Sequence, residues 1–123
     1  MAAKRQKLNI LKKNSDFKQV SKYGKPIKSF RLVAVVCSKD KLNNYIFDNN
    51  LPIFGITISR KIGNAVTRNL IKRRIKNILC DLHESPKLTN LAISIFARIP
   101  ASNASYFDLK KDLDKIVKKI TTP

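Results

Sequence analysis

Apolar positions in this chain recur with two different periods, and each change of period marks a change of element. Residues 30–37 alternate, with Phe30, Leu32, Ala34 and Val36 on one face and Arg31, Val33, Val35 and Cys37 on the other, which predicts a strand. Both faces are mostly apolar, so cover is expected on both, and Arg31 marks the second as the wetter one. Residues 53–59 predict a second strand, and residues 91–98 a third that Pro100 stops. Helical spacing governs residues 65–83, where Ile71, Ile75, Ile78, Leu79 and Leu82 form one stripe at about 100° per residue. Asn64 is suited to cap that helix, and Ser85-Pro86 ends it. Ser105 and Asp108 read as a capping pair for a last helix with Tyr106, Leu109, Leu113, Ile116, Val117 and Ile120 on one face. An early helix over residues 16–22, capped by Asn14 or Ser15 and ended by Gly24, puts Phe17 and Val20 on one side. Lys25-Pro26-Ile27-Lys28 is extended, because proline biases its predecessor away from helix. The order α-β-β-α-β-α, with room for an extra short strand near residues 25–29, predicts an α+β two-layer sandwich. It would pair a small mixed sheet with three helices in a single domain of 123 residues.

Charge changes the picture. The net charge is +18, far beyond what solubility needs, and it points to phosphate on nucleic acid or an anionic membrane. Part of it lies in a basic N-terminal arm, residues 1–13, with Lys4, Arg5, Lys7, Lys12 and Lys13. Another part is concentrated in residues 59–76, SRKIGNAVTRNLIKRRIK, inside a stretch from 49 to 80 with no carboxylate. Arg68, Asn69, Lys72, Arg73 and Lys76 fall side by side next to the apolar stripe of the predicted helix. A merely solvated face mixes signs at i,i+4, whereas Arg68/Lys72 and Lys72/Lys76 place like charges there. Their repulsion costs stability unless an anion relieves it, and Asn69 among them offers donor and acceptor to sugars or base edges. The dibasic Arg60-Lys61 is delivered by the preceding strand. Nucleic-acid binding is the reading that accounts for the pattern.

Other chemistries find little support. His83 is the only histidine, near Asp81 and Glu84, and its expected role is at a helix C-terminus rather than in a triad or zinc site. Three glycines leave no Gly-rich phosphate loop, and Cys37 and Cys80 have no metal-ligand spacing. The two cysteines suit a reducing cytoplasm. No apolar run approaches the roughly 20 residues needed to cross a bilayer, and the N-terminus lacks a signal-peptide core. The protein alone is expected to catalyse nothing.

The stretch GITISRKIGNAVTRNLIKRRIKNIL resembles the signature of the bacterial ribonuclease P protein component family, a strand followed by S-K/R-K-x-G-N-A-V-x-R-N-R-x-K-R and a long helix. Ser59, Arg60, Lys61, Gly63, Asn64, Ala65, Val66, Arg68, Asn69, Lys72 and Arg73 match. LKKNSDF at residues 11–17 and IFARIPAS at residues 95–102 extend the likeness over nearly the whole chain. Two positions depart: the family's second arginine is Leu70, which falls near Val66 and Asn77 away from the basic face, and an aromatic often found on the early helix is Ser21.

The resemblance implies the small subunit of an RNA-based endonuclease that removes the 5′ leader from precursor tRNA. The RNA subunit would be the catalyst and hold the Mg2+, and the protein would bind no cofactor and need no protein partner. Arg60, Lys61, Asn64, Arg68, Asn69, Lys72, Arg73 and Lys76 would meet the catalytic RNA. A cleft between early helix and sheet would hold the single-stranded leader, with Phe17, Val33 and Val35 in its lining and Lys12, Lys13 and Arg31 beside them. The alternative for Phe17 is a place in the core, packed with Val20 under the sheet. The resemblance also implies a left-handed β-α-β crossover around the basic helix, where the general rule gives a right-handed one. The main rival is a ribosomal or ribosome-assembly protein that binds structured RNA. A duplex-DNA binder lacks a helix-turn-helix partner, and a membrane-surface protein would have to expose aliphatic residues that the core needs.

Overall fold

Strands with two apolar faces need cover on both, and different segments of the chain supply it. The computed structural model describes residues 8–11, 14–42 and 51–121. Its elements are β1 (Asn9–Ile10), α1 (Asn14–Tyr23), β2 (Lys25–Lys28), β3 (Leu32–Ser38), β4 (Ile53–Thr57), α2 (Ala65–Leu82), β5 (Leu91–Ala97) and α3 (Tyr106–Thr121). The strands form one mixed sheet in the order β1-β4-β5-β3-β2. β1, β4 and β5 are parallel, whereas β3 is antiparallel to both β5 and β2. The expected three-helix α+β architecture is present, and β2 is the extra strand for which Lys25-Pro26-Ile27-Lys28 left room. β1 lies within the basic arm, and the next residue, Leu11, is buried. Lys12 and Lys13 lie outside the described residues, as do the arm before Leu8 and residues 43–50 of the Asn-rich loop.

Leu32, Ala34, Phe54, Ile56, Ile93 and Ile95 face α2 and α3 and make the main core with Ile71, Ile75, Ile78 and Leu79 of α2 and Leu109, Leu113 and Ile116 of α3. The reverse face is built from three cross-strand rows: Cys37–Ala92–Ile53, Val35–Ser94–Gly55 and Val33–Phe96–Thr57. The first row is buried beneath Val20 of α1 together with Leu11 and Leu42. The last row is only partly covered, and Thr57 is exposed.

The hand of the β4-α2-β5 crossover follows from one hydrogen bond. Leu11 N donates to the Phe54 carbonyl, so the peptide groups of Phe54 point towards β1, while its side chain enters the α2–α3 core. For an L-residue in an upward strand seen from its side-chain side, N–H and C=O point right. β1 therefore lies to the right of β4 and β5 to the left, so the connection through α2 is left-handed, against the usual preference.

The strand begins later than alternation predicts, and two residues are reassigned. Phe30 and Arg31 lie in the bend before β3, so the two-residue period does not govern them. Phe30 is 65% exposed instead of facing the core with Leu32. Arg31 turns to α3, where its Nη1 donates to Asp112 Oδ2 at 3.1 Å and its Nη2 lies 3.8 Å from Asp108 Oδ1. Asp112 is buried and also accepts from Ser29 Oγ, so it is a strong anchor for the guanidinium. Capping runs as the sequence predicts: Ser105 N donates to Asp108 Oδ2 at 3.1 Å, and Asp108 N to Ser105 Oγ at 3.2 Å. His83 is fully buried at the C-cap of α2, with its N–H on the Leu79 carbonyl.

Candidate nucleic-acid interface

The basic helix is launched by a tight local device. After β4, a single 3-10 turn at Arg60–Ile62 buries Ile62 and leaves Arg60 and Lys61 exposed. Gly63 follows at φ 157° and ψ −168°, a backbone region essentially restricted to glycine. Asn64 then caps α2, its side-chain oxygen accepting from Thr67 N at 2.9 Å, an interaction worth about 1 kcal/mol. Capping uses the side-chain carbonyl and leaves the amide NH2 of Asn64 as a donor.

Four core residues fix the rotation of α2. Ile71, Ile75, Ile78 and Leu79 are each at most 2% exposed. Each such burial is worth about 1.5–3 kcal/mol, several times the few tenths lost per like-charge pair at i,i+4. Packing therefore holds Asn69, Lys72 and Arg73 outward despite their repulsion, and with Lys76 they line one groove of about 350 Å3. Arg74 is withdrawn from this face, since its Nη1 donates to the Ala104 carbonyl at 2.7 Å. Leu70 is 38% and Val66 77% exposed, on a flank of α2 that adjoins Arg73.

Two cavities flank Phe17. β1 covers β4 only at Ile53 and Phe54, so the edge of β4 beyond them is open. A cavity of about 550 Å3 lies there, where Ile10, Leu11, Phe17 and residues 56–58 meet Arg68, Asn69 and Lys72 of α2. Arg68 is half-buried, and its Nε is without a hydrogen-bond partner among the described residues. That donor suits an anion entering the cavity. The second cavity, about 520 Å3, runs along α1 between Asn14, Phe17, Lys18, Ser21 and Lys22 and the sheet residues Thr57 and Phe96. Phe17 and Thr57 form the wall common to both.

The structure thus joins Phe17 to Arg68, Asn69 and Lys72, which the sequence had assigned to separate surfaces. It does not place Arg31, Val33 or Val35 there, and Lys12 and Lys13 lie outside the described residues. Arg31 is held by α3, Val35 packs against the core beneath α1, and Val33 stands one strand beyond Phe96 without lining either cavity. Phe17 is half-buried, so it contributes to packing and to the cavity walls at once. Thr57 and Phe96 are cleft residues that sequence reasoning missed. Alternation in residues 91–98 puts Phe96 on one face with Ala92 and Ser94, but only the β4–β5 register brings it beside Thr57.

Comparison with known proteins finds relatives of the chain and of its fold. The family profile described as Ribonuclease P matches residues 6–121. The ribonuclease P protein component of Streptococcus thermophilus is 34% identical over 110 residues, covering 88% of each chain. That of Listeria welshimeri is 34% identical over 108 residues, covering 88% of this chain and 84% of its own. Among solved structures, the Staphylococcus aureus RNase P protein superposes with a TM-score of 0.76 at 29% identity, covering 92% of this chain and 95% of its own. The Thermotoga maritima RNase P protein, at 20% identity, shares the fold with a TM-score of 0.72 over 90% of this chain and 96% of its own.

Proposed function

The chain belongs to the ribonuclease P protein family, and from that premise we propose how it assists removal of the 5′ leader from precursor tRNA. It is the RNA-binding protein component of the ribonucleoprotein; the family matches do not favour a ribosomal role. In our reading the catalytic RNA supplies the chemistry and holds the Mg2+ ions, and the protein supplies position. Among the described residues no three His, Cys, Asp or Glu side chains group as ligands for an ion. The outward face of α2, with Asn69, Lys72, Arg73 and Lys76, and the turn before it, with Arg60 and Lys61, dock on the phosphates of the catalytic RNA. The cavities beside Phe17 receive the single-stranded leader, whose unpaired bases offer stacking faces.

One observation carries this reading. The first cavity has an aromatic wall from α1 and a cationic wall from α2, so one stretch of RNA can touch the stacking surface and the docking helix together. Such an arrangement couples leader binding to the catalytic RNA. No helix among the described residues is long and apolar enough to cross a membrane, and we place the complex in the cytoplasm. The test is reconstitution with a bacterial ribonuclease P RNA and an assay of precursor-tRNA cleavage at low magnesium. The protein should raise cleavage by the RNA and cleave nothing by itself. Failure to raise it, or robust cleavage by RNA-free protein, would overturn the proposal.

A further inference from the structure

The cavity along α1 has the parts of a nucleobase site in its own right. Its floor carries the half-exposed ring of Phe96, and its end wall is Phe17. Ser21 is exposed and small, and Phe96, which lines the cavity with it, is only partly buried, so no large side chain at position 21 closes the cavity over Phe96. The hydroxyls of Ser21 and Thr57 and the amide of Asn14 supply donors and acceptors for a base edge. Lys18 and Lys22, one helical turn apart, put two cations at the rim. A cavity of about 520 Å3 is of the size that holds a small ligand. Apolar floor, polar edge and cationic rim together fit one nucleotide of single-stranded RNA better than a peptide or lipid.

Phe17 and Thr57 also border the other cavity, so the two sites are adjacent and share a partition. We infer that they hold two neighbouring leader nucleotides, divided by the Phe17 ring, and that Phe96 is the stacking residue that sets specificity in the second. In this chain the sheet floor, rather than a second aromatic on α1, provides that platform. The inference rests on the leader-binding reading above.

The experiment uses the reconstituted holoenzyme at saturating protein and precursor tRNAs carrying 2-aminopurine at one leader position at a time. Stacking on an aromatic ring quenches this base, and two adjacent leader positions are expected to be quenched. Phe96→Leu should restore emission at one of the two and weaken precursor binding about fivefold or more, with mature-tRNA binding unchanged. Phe96→Met, a second non-aromatic filler, should behave in the same way, and Phe96→Tyr should keep the quenching. Phe17→Leu should restore emission at both positions. Unchanged quenching in Phe96→Leu while Phe17→Leu abolishes it would overturn the second site and leave leader binding standing. Equal loss for precursor and mature tRNA with a fallen melting temperature would assign Phe96 to the core. Absence of quenching at every leader position of the wild-type complex would overturn the leader reading itself.

Discussion

The ring of Phe17 lies against Gly55: a β-carbon on that glycine would come within 2.5 Å of Phe17 Cε1 and 3.0 Å of Phe17 Cζ and Leu11 Cδ1. β4 thus makes room for the one aromatic shared by both cavities. Gly55→Ala should force the ring outward, because the neighbouring Leu11 is buried and cannot give way. We expect a cost of about 1–3 kcal/mol from overpacking, offset by less than 1 kcal/mol of unfolded-state entropy. Precursor-tRNA binding should weaken while affinity for the catalytic RNA holds. A variant that melts like wild type and discriminates precursor from mature tRNA as well would show that the ring does not depend on this gap.

Asp112 gathers Ser29 and Arg31 onto α3, and this cluster fixes the bend that opens β3. Asp112→Ala would leave the Arg31 guanidinium three-quarters buried without its carboxylate. Removing one partner of such a pair costs about 3 kcal/mol, which urea unfolding would measure. Arg31→Ala is expected to destabilise as well, yet to leave the preference for precursor over mature tRNA intact. Loss of that preference without loss of stability would return Arg31 to the cleft.

The same cluster shows what the sequence could and could not convey. Local devices were legible: the Asn64 cap, the Ser105–Asp108 pair and the stripe of Ile71, Ile75, Ile78 and Leu79 each depend on residues within a turn or two. Arg31 was misplaced because alternation cannot say where a strand begins, and a buried acid 81 residues away claimed its side chain. β1 has two residues, too few to show a period, and exists through its pairing with β4. The second cavity depends on the Thr57–Phe96 register, a long-range relation that no spacing encodes. Crossover hand was inaccessible for a different reason, since the physical rule favours the other answer.

Acid should weaken the start of α3. Asp108 is held below the ordinary aspartate value first by the Ser105 backbone N–H, which burial opposes, and then by the Ser105 side chain and the charges of Arg31 and Lys111. A carboxyl with a lowered folded-state value stabilises fully above its unfolded value and loses that contribution as pH falls through the folded one. Melting temperature should therefore decline in acid below the ordinary aspartate range, and Asp108→Asn should flatten part of the decline. Parallel curves for the two proteins would count against the capping pair as its source.

Binding to the catalytic RNA should fall steeply with salt. Neutralising about five to eight phosphates gives a log–log slope on the order of −4 to −7. Arg68→Ala and Lys72→Ala should each weaken assembly and flatten the slope by about one unit. Arg74→Ala should flatten it little and cost stability instead, because its guanidinium is committed to the Ala104 carbonyl. Equal slopes in all the variants would remove α2 as the docking face.

Leu70 offers the sharpest check on how α2 is oriented. It stands where the family signature has a second arginine, and at 38% exposure beside Val66 at 77% it reaches solvent rather than the core. Leu70→Arg therefore removes little buried surface and should leave stability within about 0.5 kcal/mol of wild type, as exposed substitutions do. It adds a cation one residue from Asn69, which lines both the first cavity and the cationic groove. Affinity for the catalytic RNA should rise, and the salt slope should steepen by about one unit if the new guanidinium meets a phosphate. Two measurements on the same variant separate the outcomes. Tighter binding with a steeper slope puts this side of α2 within reach of the RNA, whereas a stable variant with unchanged binding puts the contact on the Lys72 side alone. A marked loss of stability would show that Leu70 packs against Val66 more closely than its exposure implies.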